Sequence, residues 1–104
     1  MRPPEFATFE SVSDRVRLRW FDSDGQVLTD DRWHDPWLRT LVALLEDPQD
    51  AVVVVLHGGL EPVSVHLPEG AWTLAWTSAW ERPQEPTAIG TDVEVPPTSV
   101  LVLT

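Results

Sequence analysis

The residues at 51–56 constrain the fold most, because they form the uninterrupted apolar run Ala-Val-Val-Val-Val-Leu. Four consecutive β-branched valines favour extended backbone over helix. Polar and turn-forming residues bound the run on both sides, at 46–50 and at 57–62. In a strand, a run in which every residue is apolar places apolar side chains on both faces. The run therefore predicts a central β-strand covered on both faces. We therefore expect at least two packed layers.

Other short apolar segments recur along the chain at spacings typical of all-β proteins. Residues 16–21 alternate apolar and basic side chains, which predicts a half-buried strand with Val16, Leu18 and Trp20 facing the core. An Asp-Gly turn follows at 24–25, and 26–28 begins a short return strand. Further strands are predicted at 40–45, 63–67, 71–78, 93–95 and 99–103. The polar connection at 46–50 predicts a hairpin between 40–45 and 51–56.

Three further segments carry helix, strand or loop signals. Thr29, followed by two acidic residues, predicts a single helical turn that Pro36 ends. The spacing of Trp72, Trp76 and Trp80 also suits a helix, but only about ten residues separate the flanking Gly and Pro, so we favour a strand. Residues 81–91 are polar and rich in Pro, and they predict a loop.

These segments predict an all-β fold, an antiparallel β-sandwich of seven or eight short strands. The 104 residues are sufficient for one domain, which we place at 15–104, with 1–14 as a lead-in segment.

Composition narrows the classes of partner and chemistry. Seven basic residues, all Arg, oppose 17 acidic ones, which gives a net charge of −10. Since nucleic-acid binding depends on basic residues that neutralise phosphates, we expect neither nucleic acid nor an anionic membrane as a partner. The chain contains no Cys, so disulfides and thiol chemistry are excluded. The first residues lack the apolar segment of a signal peptide, and no run approaches the ~20 residues of a membrane helix. We expect a cytoplasmic protein.

The residues that carry enzyme chemistry do not form a recognisable pattern. Most acidic residues lie in predicted turns, where solvent keeps carboxylates ionised and unsuited to general acid catalysis. No Gly-x-Ser-x-Gly motif occurs, and His34, His57 and His66 have no spacing typical of zinc ligands. The sequence at 22–25 lacks the other ligands of a calcium loop. We therefore predict no catalytic residue, no metal site and no cofactor in this chain.

The six Trp residues are the most distinctive side chains. Trp20, Trp72 and Trp76 fall on apolar faces, and we predict them in the core. Trp33 and Trp37 are candidates for contact with another domain. Trp37 and Trp80 lie at the ends of elements beside polar residues, where an indole can stack on a sugar ring, and they are candidate carbohydrate-binding residues.

Residues 20–36 read Trp-Phe-Asp-Ser-Asp-Gly-Gln-Val-Leu-Thr-Asp-Asp-Arg-Trp-His-Asp-Pro. This string resembles the start of the C-terminal domain of isoamylase-type glycogen debranching enzymes in the α-amylase superfamily. That family has a Trp, an Asp-Gly turn, a Met/Leu-Thr-Asp-x-x-Trp segment and then an apolar strand. The resemblance continues through 51–67, 72–79 and 95–103. The chain departs from the family at His57, where the family has Asn, and at 77–78, where Thr-Ser replaces Asp-Thr.

The resemblance implies a β-sandwich that packs on an (α/β)8 barrel. The barrel carries the nucleophile, the acid and the substrate subsites, and 104 residues cannot contain it. The chain is then expected to be a non-catalytic accessory domain of an α-glucan debranching enzyme. Without its barrel, it is expected to expose apolar surface around Trp33 and Trp37 and to self-associate.

Two alternatives remain at the level of the sequence. One is a carbohydrate-binding module that stacks an α-glucan on Trp37 and Trp80. The other is a small independent hydrolase, which predicts glucan cleavage by the chain itself.

Overall fold

A computed structural model describes residues 16–82 and 84–104. Across these ranges the chain forms eight strands and one short helix. The predicted lead-in segment at 1–14 and the first residue of the predicted domain lie outside the described residues. In chain order the elements are β1 (Arg17–Phe21), α1 (Asp30–Trp33), β2 (Thr40–Glu46), β3 (Ala51–His57), β4 (Val63–His66), β5 (Trp72–Thr77), β6 (Thr87–Ile89), β7 (Asp92–Val95) and β8 (Ser99–Leu103).

The strands form two antiparallel sheets, which confirms the predicted all-β sandwich. The larger sheet has six strands in the order β1-β2-β3-β8-β5-β6, and the smaller one pairs β4 with β7. β2 and β3 form the predicted hairpin across 46–51, with Asp47 accepting backbone N–H bonds from Gln49 and Asp50 in the turn. The valine-rich strand β3 lies between β2 and β8, the central position that its composition predicted.

The core lies between the two sheets. One face of the large sheet, here called the inner face, packs against the small sheet through side chains that alternate along each strand. Val53 and Val55 of β3 meet Val65 of β4 and Val95 of β7, and all four are fully buried. The remaining core members are Phe21, Val42, Leu44, Leu67, Trp72, Val93, Leu101 and Leu103.

Strand β1 has the opposite phase to the one predicted. Phe21 belongs to the core, whereas Trp20 is half-buried and is not a core member. Arg19 shares the inner face with Phe21, where it lies over the Phe21 ring and forms a salt bridge with Glu46 at 2.5 Å. The apolar–basic alternation predicted the strand correctly but not its inward face. Leu18 and Trp20 were expected on the inner face, and the long aliphatic part of Arg19 packs there instead, at the edge of the core.

Strand β5 is correctly predicted as a strand, but the position expected for Trp76 is wrong. Leu74 pairs with Leu103 and Trp76 pairs with Val102, so two steps along β5 match one step along β8. This β-bulge inserts Ala75 and reverses the alternation of faces beyond it. Trp72 is therefore buried as predicted, whereas Trp76 points away from the core and is 46% exposed.

Three connecting segments can also be compared with their predictions. The loop predicted for 81–91 contains β6, which pairs with β5 from Trp72 to Leu74. The predicted helical turn is present, with the Thr29 hydroxyl accepting the Arg32 N–H. The Asp-Gly turn is also present, and Gly25 has the positive φ of 85° that favours Gly there.

Candidate docking surface and groove

The face of the large sheet that points away from the small sheet, here called the outer face, is apolar. Cross-strand pairing places every outer-face position of β2, β3 and β8 at a Leu, Ala or Val residue. These positions are Leu41, Ala43, Leu45, Val52, Val54, Leu56, Val100 and Val102. A sheet with one solvated face normally alternates apolar and polar residues, and this sheet does not.

The outer face is only partly covered among the described residues. Leu56 is 37% exposed, and Trp76 lies beside Val102 with almost half of its surface in solvent. Among the described residues, the outer side of β3 is therefore covered only in part, with Val52 and Val54 half-buried and Leu56 exposed. Of the two residues around which exposed apolar surface was expected, Trp37 is 80% exposed and Trp33 is half-buried.

At one end, the outer face runs into a shallow depression formed by the turn after α1. Trp33 and Leu38 face Leu41, Leu56 and Val100 across it. Trp33 also contacts Trp20 edge-to-face, with ring centroids 5.5 Å apart. The structure therefore places Trp33 beside the apolar outer face, half-buried, and not in the inter-sheet core.

Below this end of the sheet, a buried histidine fixes the loop after β3. His57 Nε2 donates to the Glu61 carbonyl at 2.7 Å, because a carbonyl oxygen can only accept. In the neutral ring, Nδ1 then accepts from the Thr40 hydroxyl at 2.8 Å. Both ring nitrogens are thus engaged in structure, and the loop that carries Leu60 and Glu61 is tied to β2 and β3.

Trp37 lies on the loop between α1 and β2 and is 80% exposed. Its backbone N–H donates to the Asp35 carboxylate at 2.8 Å, and the Arg39 guanidinium lies 5.8 Å from the ring centroid. Arg39 in turn donates to the Pro36 carbonyl at 2.6 Å. These bonds fix the loop while most of the indole stays in solvent.

A groove of about 510 Å³ separates the Trp37 loop from the loop after β3. Leu60, which is 88% exposed, and its neighbour Glu61 line this groove together with Trp37. Ser23 and Arg32 supply polar groups from the remaining wall. Leu60 and Glu61 were not predicted as site residues, and their only signal in the sequence is an apolar residue within a Gly-Gly-Leu-Glu-Pro loop.

The structure does not bring the two candidate sugar-stacking residues into one groove. Trp80 is half-buried after the end of β5, where its N–H donates to the Thr77 carbonyl at 3.2 Å, and it is not among the residues that line the groove. Of the two candidates, Trp37 alone lines the groove.

The carboxylates of the described residues serve mainly in turns. Asp22 accepts the N–H groups of Asp24 and Gln26, and Asp35 accepts that of Trp37. Asp92 forms an exposed pair with His66 at 2.9 Å. Within 16–82 and 84–104, no cluster of three or more His, Asp or Glu side chains has the arrangement of a metal site. None of the helices described is long and apolar enough to cross a membrane.

Comparison of the sequence with known families and curated proteins gave no match to a family model and none to a curated protein.

Proposed function

We propose that this chain is the non-catalytic C-terminal accessory domain of an α-glucan debranching enzyme and that its outer face packs against the catalytic (α/β)8 barrel. The observation that carries the proposal is the apolar outer face of β2, β3 and β8. Removal of such a surface from water is favourable by about 25 cal/mol for each Å² buried. A continuous apolar sheet face of this kind supports a role in protein–protein contact.

A barrel supplies a suitable partner surface for this face. The outer ring of an (α/β)8 barrel consists of amphipathic helices, which can pack across a flat β-sheet. The resemblance of residues 20–36 and 51–67 to debranching enzymes implies an (α/β)8 barrel as the partner. In this proposal, the domain acts in the cytoplasm, where it stabilises the barrel.

The use of the acidic residues supports a role without catalysis. Glycoside hydrolysis needs one carboxylate as an acid and a second as a nucleophile or base. Asp22, Asp35 and Asp47 each accept backbone N–H bonds that define a turn. These three carboxylates stabilise turns. In this proposal, the carboxylates that hydrolyse the glycosidic bond belong to the partner barrel.

The test is to add the purified chain to the debranching-enzyme barrel of the same organism, expressed without its own C-terminal domain. We expect a 1:1 complex in sedimentation velocity, a higher Tm for the barrel and increased release of linear chains from glycogen. The chain alone should release no sugar. A folded chain that neither binds nor stabilises the barrel would contradict the proposal, and so would hydrolysis by the chain alone.

A further inference from the structure

We infer that the groove between Trp37 and Leu60 binds a neutral hexose chain, with the Trp37 indole as the stacking platform. The groove is separate from the outer face, because none of the eight outer-face residues of β2, β3 and β8 lines it. Its size of about 510 Å³ falls within the usual range for small-ligand sites, about 300–1,000 Å³.

The shape of the platform suits a sugar ring. A pyranose presents an apolar C–H face that packs on a flat indole, and Trp offers the largest such face among side chains. Trp37 keeps most of its surface in solvent, while Asp35 and Arg39 fix its loop from below. Little conformational freedom is then lost on binding, because the platform is already in place. Leu60 adds a second apolar contact across the groove.

The polar groups of the groove suit hydroxyl groups better than ions. Arg32 and Arg39 contribute donors, and the exposed carboxylate of Glu61 contributes acceptors. Asp22 and Asp35 lie 3.8 and 3.6 Å from the Arg32 guanidinium and offset its positive charge. The local charges therefore nearly balance, in a chain whose net charge is −10. A balanced set of donors and acceptors around an aromatic platform recognises a neutral polyol, whose hydroxyls both donate and accept.

The identity of the sugar follows from the proposed function. If the domain belongs to a debranching enzyme, the chain in the groove is an α-glucan, and the groove keeps the domain attached to the polymer that the barrel trims. The stacking geometry itself does not depend on that assignment.

The experiment is affinity electrophoresis of the chain in gels that contain glycogen, with calorimetric titration of maltoheptaose and of cellohexaose. We expect retardation by glycogen and binding of maltoheptaose. Trp37→Ala should weaken that binding at least tenfold, and Glu61→Ala should weaken it severalfold. Trp76→Ala is the matched control, because it removes an exposed indole from the outer face and should leave binding within twofold of wild type.

The other outcomes test two claims separately, namely that the groove binds a hexose chain and that this chain is an α-glucan. Binding of cellohexaose alone, lost in Trp37→Ala, would support the hexose groove and overturn the α-linkage. No binding of any of the three sugars by the folded wild-type chain would overturn the groove. Equal binding by Trp37→Ala and wild type would overturn it as well. A Trp37→Ala variant that loses only barrel binding would show that the groove contacts protein instead.

Discussion

Trp72 and Trp76 lie four residues apart in β5 and on opposite faces of the six-stranded sheet. The bulge at Ala75 separates them, because it adds one residue to β5 that has no counterpart in β8. Trp72 is 6% exposed and donates its indole N–H to the Pro68 carbonyl at 2.8 Å. One indole therefore stabilises the fold, and the other extends the outer face.

The first prediction separates these two roles by stability. Trp72→Ala should lower the free energy of unfolding by about 3–5 kcal/mol, because it leaves a large cavity between the sheets. Trp76→Ala should lower it by less than about 1 kcal/mol, since much of its surface stays in solvent. Urea unfolding followed by far-ultraviolet circular dichroism measures both. Equal losses of stability would contradict the assignment of the two residues to different faces.

The second prediction concerns the buried pair of Thr40 and His57. Thr40→Val removes the hydroxyl that donates to His57 Nδ1 and should lower the free energy of unfolding by about 1–3 kcal/mol. Thr40→Ser keeps the hydroxyl and should recover most of that loss. Thermal unfolding of the three proteins gives the comparison. A Val variant as stable as the Ser variant would show that this hydrogen bond contributes nothing.

The third prediction concerns the two glycines after β3. A Cβ at Gly59 would lie 2.6 Å from His57 Cε1, and hydrogen bonds at both nitrogens prevent the ring from moving away. Gly59→Ala should therefore lower the free energy of unfolding by about 1–3 kcal/mol. Gly58→Ala is the control, because its Cβ would meet only the Arg39 carbonyl, at 3.8 Å. The order of the two Tm values tests the packing of this loop.

The fourth prediction concerns the turn after β1. The buried carboxylate of Asp22 accepts the N–H groups of Asp24 and Gln26, at 2.9 and 3.0 Å. Asp22→Ala should lower the free energy of unfolding by about 1–3 kcal/mol, because both donors lose their partner. The exposed Asp24 carboxylate accepts no hydrogen bond from the residues that the structure describes, and Asp24→Ala should change stability by less than about 0.5 kcal/mol. Chemical denaturation of the two variants at neutral pH makes the measurement.

The sequence predicted the strands better than it predicted their faces. The valine run of β3, the β2–β3 hairpin and the Thr29-capped turn were all recognisable, because local propensity and turn chemistry determine them. The phase of β1 and the direction of Trp76 depend on Arg19 packing over Phe21 and on a bulge at Ala75. Both are tertiary effects, which period-two alternation alone does not encode.

The candidate surfaces were predictable only in part. Trp37 was recognisable as an indole at the end of an element with polar residues nearby, and it is exposed and lines a groove. Leu60 and Glu61 lie in a loop that His57 holds through a local hydrogen bond to the Glu61 carbonyl and a longer-range one to Thr40. Their place in the same groove as Trp37 depends on how the two loops come together in space. The apolar outer face was expected only as a consequence of the resemblance. Its residues became identifiable once cross-strand register showed which side chains share a face.

The most direct test of the docking role compares two charged substitutions in binding to the debranching-enzyme barrel. Trp76→Glu places a charge on the outer face, whereas Leu60→Glu places one on a more exposed apolar side chain away from it. With both variants confirmed as folded, we predict a Kd at least tenfold higher for Trp76→Glu, because a desolvated charge is poorly tolerated at an apolar interface. Leu60→Glu should bind within twofold of wild type. Wild-type affinity in Trp76→Glu, or a greater loss in Leu60→Glu, would contradict docking through the outer face.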